Sequence, residues 1–149
     1  MNKELLPLIS IKKNKELGMA DKAAEDFGNA VKFNPRDAES YNARANVYIE
    51  QKKYREAIND CDKAVGISSG YFEAYYTRGL AWFQLGDYQK AITEYDTAIK
   101  LNNKFGHAWL NRGISKINLG DKDSGCKDIS EAIKLGLQSI SKEIMDLCK

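Results

Sequence analysis

The chain has 149 residues, enough for one domain with a real core, and its formal net charge of +2 comes from interspersed rather than blocked acids and bases. That balance leaves no electrostatic footprint for nucleic acid or an anionic membrane surface. Only two prolines, abundant Ala, Lys, Glu and Leu, and no Val/Thr-rich alternating run argue against a sheet and for an all-helical chain.

The stretch from Met1 to Leu17 is charged at Lys3, Glu4, Lys12, Lys13, Lys15 and Glu16, so it lacks the apolar region of a signal peptide and cannot span a bilayer. It is predicted to open a helix over about 4–17, with a second over 20–33 that Pro35 ends. Further helices are predicted at about 38–51, 54–67, 72–85, 88–101, 106–119 and 122–135. They recur because the sequence repeats every 34 residues: YNARANVYIEQKKYREAINDCDKAV from Tyr41, YYTRGLAWFQLGDYQKAITEYDTAI from Tyr75 and WLNRGISKINLGDKDSGCKDISEAI from Trp109 align without a gap. In each, an aromatic (Tyr41, Tyr75, Trp109) precedes an arginine (Arg44, Arg78, Arg112) and a small residue (Ala45, Gly79, Gly113). The second half carries Ala57, Ala91 and Gly125, then Cys61, Tyr95 and Ile129, then Ala64, Ala98 and Ala132, a small-large-small series on one helix face. Gly86 and Gly120 stand where a left-handed cap is expected. One period earlier, Gly18, Ala23, Phe27, Ala30 and Pro35 fall in register, which places a first, degenerate copy from near Glu4. The tail puts Ile140, Ile144 and Leu147 at helical spacing, with Ser139 or Ser141 as N-cap, and predicts a helix that covers the last unit's core edge.

These residues resemble the tetratricopeptide repeat (TPR), with its aromatic and Leu-Gly-like pair in the first helix, Ala/aromatic/Ala in the second and often a terminal Pro. The resemblance covers Glu4 to about Leu137. It implies a right-handed superhelical solenoid of about four helix-turn-helix units, near 4–37, 38–71, 72–105 and 106–137, with a C-terminal capping helix over about 138–148, all one domain. The terminal units depart from the pattern: Pro7, Ser10 and Ile11 replace the aromatic, Arg and small residues of the first, Lys116 replaces a core aromatic of the fourth, and Leu137 stands where Pro would end it.

The resemblance also implies that the first helices line a concave face. Their non-core positions are Asn42 and Asn46, then Tyr76, Thr77, Leu80 and Phe83, then His107, Leu110, Asn111 and Ile114. Amides there suit the backbone of an extended peptide, and the apolar side chains suit anchors. The partner implied is a peptide or helical segment of another protein. A chaperone-tail receptor of the family's carboxylate-clamp kind is disfavoured. In one register the clamp positions hold Leu8, Lys12, Ala43, Glu73 and Thr77, and in the next Asn42, Asn46, Thr77, His107 and Asn111, so the cationic contacts are missing. Arg44, Arg78 and Arg112 look like a ligand row, but Asp60, Glu94 and Asp128 follow each by sixteen residues, and an ion pair within the unit is the simpler expectation.

No catalytic motif surrounds the single His107, and no phosphate or dinucleotide fingerprint occurs, so neither an enzyme nor a cofactor is expected. Cys61, Cys126 and Cys148 have no zinc spacing and are odd in number, which predicts free thiols, no metal and, by default, a cytoplasmic setting. Two alternatives to groove binding stand beside it. One is self-association through an apolar N-terminal end formed by Leu5, Leu6, Pro7, Leu8 and Ile9; the other is a TPR segment of a larger protein whose activity lies elsewhere.

Overall fold

From residue 38 onward each repeat folds into two helices because its apolar positions recur at helical spacing and its middle turns back sharply. A computed structural model describes the backbone of residues 5–149 and the side chains from Glu16 onward. The helices are α1 (Leu5–Phe33), α2 (Ala38–Glu50), α3 (Tyr54–Ile67), α4 (Phe72–Gln84), α5 (Tyr88–Leu101), α6 (Gly106–Asn118), α7 (Lys122–Lys134) and α8 (Lys142–Asp146). There is no strand among the described residues.

The pairs α2/α3, α4/α5 and α6/α7 close through one left-handed residue each, Lys52 (φ 60°), Gly86 (φ 81°) and Gly120 (φ 94°). Behind each, a pair of bonds caps the first helix: Gly86 N–H donates to Phe83 O at 2.9 Å and Asp87 N–H to Trp82 O at 3.0 Å, with the same pattern at Lys52/Lys53 and Gly120/Asp121. The chain then re-enters helix through an N-cap; Asp87 and Asp121 accept the Lys90 and Ser124 amides at 3.1 Å.

The first repeat does not form the expected hairpin. α1 runs unbroken through Gly18, which lacks a positive φ, so the predicted helices at 4–17 and 20–33 are one. Met19 and Ala20 follow Gly18 where Asp caps follow Gly86 and Gly120. Continuing a helix through the glycine costs only about 1 kcal/mol relative to alanine. The residues offered above as an apolar N-terminal end, Leu5 to Ile9, have side chains outside the described set.

Within each hairpin the helices meet at small residues. Ala45 and Ala57 are fully buried in a cluster with Ile58, Cys61 and Ala81. In the last hairpin a Cβ on Gly113 would lie 2.6 Å from the Gly125 carbonyl, and one on Gly125 equally close to the Gly113 carbonyl, so this pair has no room for side chains. Tyr95 is fully buried against Gly79, and a Cβ there would meet its ring at 2.5 Å.

All three arginines form ion pairs, each within its own unit and two of them also with the unit before. Arg44 grips Asp60 at 2.7 Å through both Nε and Nη2, and Arg112 grips Asp128 likewise at 2.8 Å. Arg78 reaches Glu94 at 2.9 Å. Each of the last two also reaches back to the preceding unit, Arg78 to Asp62 at 2.8 Å and Arg112 to Asp96 at 2.9 Å. The side chains of Asp60 and Asp128 are only 8% and 7% exposed, so removing an arginine would leave a buried carboxylate unpaired. Lys116, the odd residue of the fourth unit, joins this set: its ammonium lies 2.9 Å from Asp128 and 3.0 Å from Ser124 Oγ. In the two units before it, Tyr48 and Trp82 hold this position and receive cations on their rings, Lys53 on Tyr48 and Lys90 on Trp82.

The cysteines correct a second expectation. Cys126 and Cys148 form a disulfide, while Cys61 is a buried free thiol. The tail helix α8 is capped by Ser141, whose Oγ accepts the Ile144 amide at 3.4 Å, yet it is five residues long and leaves Met145 and Leu147 exposed.

Arg44 has no ion pair on Nη1 among the described residues. The position that would supply the backward carboxylate, sixteen residues earlier, is Gly28, and a Cβ there would sit 3.4 Å from that nitrogen. Gly28→Asp is therefore expected to raise stability by about 0.5–1 kcal/mol, from helix propensity and a new pair. Denaturant melts should show this gain shrink when Arg44→Met is added.

Candidate functional site

The first helices of successive hairpins touch one another, α2 with α4 and α4 with α6, whereas α3 and α5, or α5 and α7, make no comparable contact. Helices that crowd on one side and splay on the other curve the stack, so α2, α4 and α6 line its inner face.

The residues expected on that face divide into three groups. Asn42 and Thr77 are 6% and 2% exposed and belong to the wall rather than the surface. The Thr77 hydroxyl lies 2.9 Å from the Glu73 carbonyl and 3.4 Å from Asn46 Oδ1, and Asn42 Nδ2 donates to the Tyr71 hydroxyl at 3.5 Å. Asn46 and His107 are exposed. Asn46 Nδ2 donates back to the Asn42 carbonyl at 3.2 Å, which holds its amide in place across the α2/α4 seam. Tyr76, Leu80, Phe83, Leu110, Asn111 and Ile114 are half-buried, each with part of its side chain open. Asn111 Nδ2 donates to the Tyr76 hydroxyl at 2.8 Å and so links α6 to α4.

An aromatic group that the sequence reading passed over sits at one end of this face. The Phe105 ring meets Tyr76 edge-on at 4.9 Å, Phe72 at 5.3 Å and the His107 imidazole at 5.4 Å. Beside the α2/α4 end, Ala38, Glu39, Ser68, Tyr71 and Glu73 line an open cavity of about 380 Å³. Burial raises the Tyr71 phenol above its ordinary value; the bond from Asn42 opposes this, and the charges of Glu73, Glu39 and Asp37 add to it. Tyr71 and Phe105 stand 34 residues apart, each two residues after the position that Pro35 holds in the first unit. That recurrence was the available signal. No group of three or more metal-ligating side chains occurs among the described residues.

Sequence comparison matches the tetratricopeptide repeat at residues 38–71 and again at 72–105. Among solved structures, a crystal structure of MamA superposes with a TM-score of 0.73 at 24% identity, covering 83% of this chain and 72% of that one. The TPR domain of Arabidopsis OM64 gives 0.69 at 22% identity, over 74% of this chain and 90% of that one. The second TPR of Spaghetti (RPAP3), bound to the HSP90 peptide SRMEEVD, gives 0.65 at 22%, over 68% and 94%. At these identities the likeness establishes the solenoid fold.

Tyr76 also links the groove to stability. Burial pushes its phenol up to about 12, against the opposing bond from Asn111, and burial likewise raises Tyr95 and the Cys61 thiol. A group whose folded value lies above its unfolded one contributes stability that is intact below the unfolded value and is lost as pH rises toward the folded one. Stability should therefore fall above about pH 10, the ordinary phenol value. Phenolate absorbance should show two of the eight tyrosines ionising only as helicity is lost, and Tyr76→Phe should remove one of them. Uniform titration of all eight near pH 10 with helicity intact would contradict this.

Proposed function

Because this chain is a tetratricopeptide-repeat protein, we propose that it is a non-enzymatic scaffold that holds a peptide or helical segment of another protein on the inner face of α2, α4 and α6. One observation carries this reading. The half-buried Leu80, Phe83, Leu110 and Ile114 lie beside the fixed amides of Asn46 and Asn111 on a surface that no described element of the chain covers. Apolar side chains of this kind supply anchoring area, and amides supply backbone hydrogen bonds without demanding one partner sequence. Tyr76 and His107 flank these groups; Asn42 and Thr77 act from behind, by holding α2 against α4.

The RPAP3 neighbours carry an acidic chaperone peptide. This chain offers Glu39 and Glu73 around its cavity at the α2/α4 end, and two carboxylates there repel a peptide's terminal carboxylate. The ligand proposed here is a different one. No described helix is long and apolar enough to cross a membrane. The cytoplasmic setting loses one of its two grounds, since two of the three cysteines are bonded.

Affinity capture with the native chain and with Asn46→Ala/Leu80→Ala/Asn111→Ala, each checked for helicity by circular dichroism, tests the groove. The triple variant should retain its fold and lose the partner by about tenfold or more in affinity. Equal capture by both would remove the site from this face.

A second reading has its own observation. Ala23, Phe27 and Ala30 of α1 are only half-buried, whereas their counterparts Ala57, Cys61, Ala64 and Ala91, Tyr95, Ala98 are fully buried. This face of α1 lacks the first helix that the other units supply, which supports self-association at the N-terminal end. Sedimentation should then show a concentration-dependent dimer that Phe27→Asp abolishes; a monomer at all concentrations would dispose of it.

A further inference from the structure

The disulfide lies where the next repeat would dock. Cys126 holds the repeat position of Ile58 and Ile92, and Ile58 is buried in the cluster that contains Ala81 of the following unit. Cys148 holds the position of Leu80 and Ile114, on the first helices of later units. The segment through α8 thus stands where a fifth unit's first helix would begin, and the bond ties that position to α7. Beside it, the Lys122 ammonium of α7 donates to the Lys149 carbonyl at 3.2 Å. α8 is five residues long, contains no buried residue, and makes no side-by-side contact of the kind that joins the other helices. A helix so short is unstable without tertiary support.

Both cysteines are half-buried. Cys126 and Cys148 line an open cavity of about 420 Å³ with Lys122, Asp123, Lys127 and Ser130. The two ammonium groups favour the approach of a thiolate.

We propose that the Cys126–Cys148 bond is a redox latch: oxidised, it holds the C-terminal segment over the edge of α7 in place of a further helix; reduced by a dithiol, it releases the segment and opens that edge. In the reduction, one thiolate of the dithiol attacks a protein sulfur, a mixed disulfide forms, and the other cysteine leaves as a thiolate and takes a proton. The second thiol of the reagent then attacks its own sulfur in the mixed disulfide, frees the remaining cysteine and closes the reagent's disulfide, so two electrons pass to the protein. The edge uncovered is apolar: Ile133 and Leu137 line an open hollow whose other wall is Ile140 and Met145 of the latched segment.

The test uses the full chain under native conditions, with dithiothreitol as the dithiol, and follows free thiols together with tryptic cleavage at Lys142. Reduction should release two thiols without loss of helicity and speed cleavage at Lys142 by about tenfold or more, while cleavage within 38–119 stays unchanged; reoxidation should restore protection. Cys148→Ser should be cleaved at the fast rate without reductant. The proposal is overturned if thiols appear only as the repeats unfold, or if the reduced chain and Cys148→Ser are cleaved no faster than the oxidised one.

Discussion

Arg78 and Arg112 each join three helices, and the spacing of the stack depends on that junction. The guanidinium of Arg78 leaves α4, meets Glu94 on the second helix of its own unit and reaches Asp62 on the second helix of the unit before. Arg112 repeats the arrangement with Asp128 and Asp96. A planar fork with fixed donor directions can satisfy both carboxylates only over a narrow range of separations between the two outer helices. The inner helices meanwhile contact one another directly, α2 with α4 and α4 with α6. Close contact inside and an ionic spacer outside turn a row of hairpins into a curved solenoid.

The first and last units differ from the two between them. At the N-terminal end Gly28 removes the backward carboxylate and α1 lacks the hairpin partner that later second helices have, so neither the ionic nor the apolar half of the unit interface is complete. At the C-terminal end a covalent bond replaces them: Cys126 takes the place of the isoleucines that meet the next unit, and Cys148 takes a first-helix position beyond it. A hydrophobic cap of five residues could not bury enough surface to hold itself, and the bond closes a loop whose freedom would otherwise oppose docking.

The groove is built from the side chains that also hold its walls. Asn111 fixes the Tyr76 hydroxyl, Tyr76 packs on Phe105 and Tyr95, and Asn46 bridges to Thr77. Binding by the remaining surface of these residues would therefore involve little rearrangement, which lowers the ordering cost of association.

The sequence by itself determined the repeat, the six helices α2 to α7 to within a residue or two, and the pairing of Arg44, Arg78 and Arg112 with acids sixteen residues on. These follow from local periodicity, cap chemistry and a spacing that recurs in every unit. Tertiary structure alone decided the rest. The backward carboxylates Asp62 and Asp96 lie in the same period, but only the stacking of units brings them to an arginine. Asn42 and Thr77 share a face with Asn46 on paper, yet the packing of α2 on α4 leaves two of the three buried. The break expected at Gly18 does not occur, because a helix carries one glycine at a cost of only about 1 kcal/mol. The Cys126–Cys148 bond was hidden because two cysteines far apart in sequence meet only when the tail folds back on α7, a contact that no local pattern encodes.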